Sequence, residues 1–347
     1  MQRLTRLLLA CTWLLTSGLA VAGDTTDLDR QARHLWYDGI LSGYQALARE
    51  AQTFARVAGD YCQAPEQTTL AQVRDAWQRA FLAWQAVRFV DFGPVENDNR
   101  AWQFQFWPDP KNLVARKARA LLTSGAPVTR EQVEQGGVAV QGFPMAEYLL
   151  FDDAFGTSDQ ALPATSSCAL LTAVAGHIAD NSQQLLADWQ AFRPHYLDTA
   201  QFRDTTLRAG VAALEILEER RLAQPMGLRG TGKRSVYVAD AWRSGRSLAG
   251  IEASVRGLHQ YFFPGLALLL EHSDQPELGP WIDAQFGEVL EHFPALRQPM
   301  APLLAPEGHF GALQGLYVDL SQLAVLVNDQ AAVALGVVRG FNSSDGD

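Results

Sequence analysis

Residues 36–61, WYDGILSGYQALAREAQTFARVAGDY, carry one apolar ladder: Trp36, Ile40, Tyr44, Leu47, Ala51, Phe54, Ala58 and Tyr61. Steps of four and three place all of these on one stripe of a helix, because an α-helix turns once in 3.6 residues. A second ladder, Leu70, Val73, Trp77, Phe81, Trp84 and Val87, follows Thr69, whose partner Gln72 completes a capping box. The chain therefore opens as helix, short polar link, helix, and both stripes need something to cover them.

Helical periodicity continues outward from this pair. A third run starts near Asn112 and stops before Ser124-Gly125-Ala126-Pro127, and Thr129 with Gln132 opens a fourth. Gly136-Gly137 and Gly142-Phe143-Pro144 interrupt that fourth run and re-aim it toward Glu147. Beyond an exit segment from Asp152 to Pro163, Leu170, Val174, Ile178, Leu185, Trp189 and Phe192 mark a helix closed by Pro194. Another helix is predicted from about Thr199 to Ala223, then a loop over Gln224 to Lys233, then helical patterns over Ser247 to Phe262, Pro280 to Phe293 and Phe310 to Asp329. The tail from Gly340 to Asp347 reads as unstructured. The expected fold is all-α, with two four-helix-bundle-like domains side by side over 23–160 and 161–347. Trp84 and Trp189 each close a long ladder, which hints at an internal duplication. A chain of 347 residues with 48% hydrophobic composition can fill a core of that size.

The first 22 residues read as a signal peptide: Arg3 and Arg6, an apolar run from Leu7 to Val21, and the small-residue site Ala20-Val21-Ala22. A periplasmic protein follows from this. Cys11 faintly resembles a lipoprotein acceptor, but the better cleavage site lies downstream of it. No later apolar stretch reads as long enough to span a bilayer, so no transmembrane segment is expected in the mature chain. Cleavage removes two arginines and no acid, taking the formal charge from −10 to −12. So acidic a surface disfavours nucleic acid as a partner and is compatible with cations. Two cysteines survive cleavage, Cys62 and Cys168, and an even pair in an oxidising compartment argues for a disulfide.

The chemistry-bearing motifs are sparse. Pro144 and Glu147 stand three apart at a helix start, the spacing of two ligands on one face, but proline has no ligand atom. None of the seven histidines has Glu at the third following position; the nearest pairs are His177 with Asp180 and His195 with Asp198. The loop from Gly227 to Arg234 approaches a phosphate cradle, yet Arg234 stands where Ser or Thr should hold magnesium, and a helix precedes it. Arg243 and Arg246 flank a glycine-bearing helix approach and suit bidentate pairing with carboxylates. Arg88 with Asp91, Glu96 and Asp98 gathers an arginine and three acids where a helix ends, an oxygen-rich set that a capped turn explains and that hard cations also favour.

These residues, taken in order, resemble the imelysin-like family of exported bacterial proteins, sometimes classed as metallopeptidases. The resemblance rests on Trp84 to Arg88 with Phe92-Gly93-Pro94, on Phe106-Trp107-Pro108-Asp109, on Gly142 to Phe151, on Trp242 to Ser247 and on the ending from Gly340 to Asp347. It implies two helical domains with a site at their junction around a Gly-x-His-x-x-Glu motif, and an association with iron uptake in bacterial envelopes. Gly142 and Glu147 match that motif, while Pro144 stands in place of its histidine.

The functional expectation is a periplasmic binding or accessory protein of iron or haem uptake, without hydrolytic activity, working with envelope proteins of an uptake system. Gly142, Pro144, Glu147, Arg88, Glu96, Arg243 and Arg246 are the candidate ligand-binding or junction residues, and Glu147 is the candidate metal ligand for iron or another divalent metal. Glu147 is expected to pair with Arg88, Arg243 or Arg246. Two alternatives stand beside this: a metallopeptidase joining Glu147 to a distant histidine such as His177 or His259, and a structural envelope protein with no ligand.

Overall fold

The structure is a computed structural model describing residues 17–123, 127–306 and 309–337, with side chains from residue 27 onward. The greater part of the expected signal peptide, and the tail from Gly340, lie outside the described residues.

Among the described residues the fold is all-α. The first half comprises α1 (Ser17–Gln63), α2 (Leu70–Val87), a short α3 (Arg100–Phe104), α4 (Leu113–Thr123), α5 (Arg130–Gln135), α6 (Gly142–Phe151) and α7 (Asp153–Gly156). The second comprises α8 (Thr165–Asp198), α9 (Phe202–Glu215), α10 (Ser247–Gly257), α11 (Phe263–Glu271), α12 (Leu278–Glu291), α13 (Met300–Leu304) and α14 (Phe310–Ala324). Both capping boxes form as the spacing predicts: Thr69 caps α2 and Thr129 caps α5. The ladder of α1 is buried from Trp36 to Tyr61, and α8 lies along it.

That last contact crosses the boundary expected at residue 160. α8 was assigned to a second bundle beginning at 161, yet it packs on α1, α5 and α6, and the disulfide Cys62–Cys168 joins its start to the end of α1. α1 also contacts α11, and α2 contacts α10, so one continuous hydrophobic cluster runs through both halves. A ladder shows which face of a helix must be covered but not which other helix covers it.

Three readings change. Pro194 lies inside α8, which runs on to Asp198. The helical run read over Ser247 to Phe262 is followed directly by α11, whose first turn holds Pro264, because the missing N–H of a proline has no intrahelical partner there anyway. The helix Phe310–Ala334 is long and apolar enough to cross a membrane by length and composition, contrary to the expectation that no such stretch exists. Its Leu313, Leu316, Leu320 and Leu323 are nevertheless fully buried along one stripe, and the helix packs on α9, α12 and α13.

Three helices loosen into π-helical turns: after α9 (Ile216–Ala223), after α10 (Leu258–Phe262) and after α14 (Val325–Ala331). Such turns are common at functional positions because they displace backbone groups from the regular ladder. At the second, the Trp36 indole donates to the Phe262 carbonyl at 2.6 Å, satisfying an acceptor there from α1.

Candidate functional site

Helix α6 can begin where it does because Gly142 adopts φ +73°, a left-handed conformation. A Cβ at Gly142 would lie 2.3 Å from the carbonyl oxygens of both Gln103 and Phe104. Pro144 occupies the first turn, and the Phe143 carbonyl accepts from the Trp77 indole at 3.2 Å. Nearly all of α6 is buried, and Glu147, one turn in, is only 4% exposed. The helix therefore carries a carboxyl group into the interior.

A tight turn meets it. Ala241 holds φ +47° and Gly245 φ +68°, while Arg246 N donates to Ala241 O at 3.0 Å and Ser247 Oγ to Asp240 O at 2.6 Å. A left-handed alanine costs about 1–2 kcal/mol, and the surrounding bonds hold it there. The turn presents Ser244, whose N–H and hydroxyl both reach Glu147 Oε1 at 2.8 Å. The hydroxyl also lies 3.0 Å from Ala241 O, so its single proton serves one acceptor at a time. Burial pushes the Glu147 carboxyl up to about 7; the two Ser244 bonds and the nearby Arg243 charge oppose that rise, and Asp240 adds to it. Near neutral pH the group stands poised between carboxylic acid and carboxylate.

The arginines have other commitments. Arg243 Nε pairs with Asp152 Oδ2 at 2.9 Å, its Nη2 donates to Asn112 Oδ1 at 2.8 Å, and the guanidinium lies 4.3 Å over the Trp242 ring and 5.5 Å over Tyr148. Arg88 Nη1 lies 3.5 Å from Asp240 Oδ2 and 5.4 Å over the Trp107 ring. Asp240, 2% exposed, also faces Arg221 Nη2 at 2.8 Å and accepts from Gln105 Nε2 at 3.2 Å. Gln105 Oε1 in turn accepts from the Trp84 indole at 3.0 Å and Gln85 Nε2 at 2.7 Å. Arg246 Nε is buried without a hydrogen-bond partner. The expected direct pairing of Glu147 with an arginine is thus replaced by pairing with Ser244, since other carboxylates claim Arg88 and Arg243.

Gly142, Pro144, Glu147 and Arg243 come together, with Arg246 on the same turn as Ser244. Glu96 stands apart: it is exposed, and its Oε2 accepts from Gly93 N at 2.8 Å, which makes it a turn cap. Of the distant histidines, His259 is paired with an aspartate and His177 is buried with its Nε2 unpartnered. His259 Nε2 meets Asp283 Oδ1 at 2.7 Å, and burial holds His177 below the usual imidazole range, beside α5 residues. Sequence reading missed Ser244, Asp240, Gln105 and Asp152. Ser244 lay inside the quoted arginine motif, but only the turn geometry aims it. Asp109, from the quoted Phe106–Asp109 segment, accepts from Leu113 N and Val114 N at 2.7 and 2.9 Å, capping α4 beside Asn112.

This donor set does not fit a resident zinc or iron ion. Proline supplies no ligand, one Glu147 oxygen already accepts two bonds, and among the described residues no group of three or more His, Cys, Asp or Glu could hold a metal. What the site offers is a buried carboxyl whose proton affinity burial raises, beside oriented guanidinium groups.

An all-helical fold with a glycine-started buried helix closing on an arginine-rich turn defines the class of protein. The imelysin family model, peptidase M75, matches residues 40–327, and the chain belongs to that family. Its structure is similar to that of an imelysin-like protein from Psychrobacter arcticum, at 20% identity and a TM-score of 0.78, covering 91% of this chain and 98% of that one. It is also similar to a protein from Parabacteroides distasonis assigned as an iron-regulated protein A precursor, at 16% identity and a TM-score of 0.68, covering 87% and 95%. At such identities the likeness shows the fold. Among curated proteins, none matches the chain in sequence.

Proposed function

We propose that this protein is a periplasmic binding or accessory component of iron or haem acquisition, without hydrolytic activity of its own. The observation that carries the reading is the occupancy of the family's motif: Pro144 stands at the histidine position, and one oxygen of Glu147 accepts two hydrogen bonds from Ser244. Hydrolysis by a bound ion needs several protein ligands and an open position for water, whereas here Asp240 and Asp152 are paired with arginines and Glu147 accepts from Ser244. Recognition needs donors and acceptors held in place. The unpaired Arg246 Nε offers a carboxylate-bearing ligand, such as a haem propionate or a ferric carboxylate chelate, a charge-assisted contact. The similarity to a protein assigned as iron-regulated adds support for the iron reading.

The test uses the exported protein after cleavage of its leader. Titration with haem and with ferric citrate is expected to show saturable binding to one or the other, weakened in Arg246→Ala. Peptide substrates are expected to stay intact with and without chelator. Chelator-sensitive cleavage that disappears in Glu147→Ala, with zinc copurifying one to one, would overturn the proposal.

A further inference from the structure

Arg88 and Arg221 place two guanidinium groups against one carboxylate, Asp240, away from bulk water. The Arg221 side chain is 2% exposed and that of Arg88 22%. Arg221 Nη1 donates to Ser254 Oγ at 2.8 Å. Its Nη2 lies close to Asp240 without an aligned hydrogen bond, and its Nε has no partner at all. The Gln85 carbonyl Oε1 beside it is likewise unpaired. Glu147 does not balance the excess, because among the described residues no guanidinium lies within ion-pair distance of it and its bonds go to Ser244. Two cations facing one anion leave a net charge of one, which is costly in a low-dielectric setting unless something completes the set.

The backbone has made room at this spot. Arg221 projects from the π-helical turn Ile216–Ala223, and Gly250 on α10 lets its guanidinium lie flat; a Cβ there would stand 2.8 Å from Nη2. Beside these groups is a recess of about 40 Å³, lined by Gln85, Arg88, Ala213, Ile216, Arg221 and Ser254 together with apolar side chains. Ile216, 39% exposed, marks its mouth. A space of that size holds a water molecule or an anion of a few atoms, and is too small for a drug-sized ligand.

We propose that this recess binds a small monovalent anion, a halide or a short carboxylate, between the guanidinium groups of Arg88 and Arg221. Its walls join the end of α2, α9 with the π turn after it, and α10, and Arg88 and Arg221 reach from these walls to Asp240, so occupancy would brace the turn on which Ser244 is carried. The inference rests on this recess alone and stands apart from the reading of Glu147.

The full exported chain in chloride-free gluconate buffer provides the test. Bromide, chloride, formate and acetate are added at constant ionic strength while melting is followed, and crystals are soaked in bromide. The melting temperature is expected to rise with the logarithm of bromide concentration above a threshold, as preferential binding to the folded state requires. An anomalous peak is expected touching both guanidinium groups. Formate reproducing the rise and displacing bromide identifies a carboxylate-accepting site; a response to halides alone identifies a halide site. Ala213→Met fills the recess without altering any charge and is expected to fold normally while losing both the shift and the peak. Bromide scattered over the outer surface with only water in the recess, stabilisation equal in gluconate and bromide, or an undiminished response in A213M would each overturn the proposal.

Discussion

Replacing Glu147 by glutamine isolates the consequence of burying that carboxyl group. Its ordinary value is 4.5, and in the folded protein it stands at about 7. Below pH 4.5 the folded and unfolded chains both hold the proton. Between 4.5 and 7 the folded protein keeps a proton that the unfolded chain has released, so raising the pH draws the equilibrium toward unfolding. The stability present at low pH is therefore lost as pH rises through the folded value. At about 1.4 kcal/mol per unit, a rise of this size amounts to about 3 kcal/mol across the window. Glutamine is nearly isosteric with the protonated form and can accept both Ser244 bonds, but it does not titrate. Denaturant unfolding of wild type and Glu147→Gln from pH 4 to 9 is expected to give a difference curve that favours the variant progressively as pH rises and levels off above about 8. Subtracting the curves cancels the histidines common to both proteins. A difference independent of pH would refute the buried-carboxyl reasoning, because the charge would then cost the same in both states.

Other perturbations probe the frame around that group. Gly142→Ala forces a Cβ into two carbonyl oxygens at positive φ and is expected to lower stability by about 3 kcal/mol or more, read as a fall in thermal midpoint. Asp240→Asn removes the charge shared by Arg88 and Arg221 and is expected to cost about 3–5 kcal/mol in chemical unfolding, since two buried guanidinium groups then lack a counter-ion. Cys62→Ser opens a loop spanning a sequence separation of 106, for which chain entropy gives a loss of about 4–5 kcal/mol; reduction of the wild type should lower its unfolding free energy by the same amount in chemical denaturation.

Much of the helical content was legible from spacing, because amphipathic periodicity and capping boxes are local rules. The Trp36–Tyr61 ladder, the caps at Thr69 and Thr129 and the restart at Gly142 all appear as read. One proline misled: Pro194 read as a terminator, but an element's neighbours decide whether a missing N–H ends a helix or is tolerated in it. The π turns have no sequence signal at all, since they answer to packing such as the Trp36 bond to Phe262.

The candidate site divides in the same way. Glycine at 142, proline at 144 and glutamate at 147 are properties of the sequence, and they already spoke against a two-ligand clamp. The pair Cys62 and Cys168 argued for a disulfide from the sequence, and the structure contains it. Only the tertiary structure determined that Glu147 meets Ser244, that Asp240 holds two arginines, and that α8 lies on α1. Apart from Asp240 with Arg221, those contacts join residues roughly a hundred or more positions apart, so their partners follow from how helices cover one another's apolar stripes and from the burial that ensues. Periodicity specifies the stripe, whereas the free energy of the whole packed core selects what lies across from it.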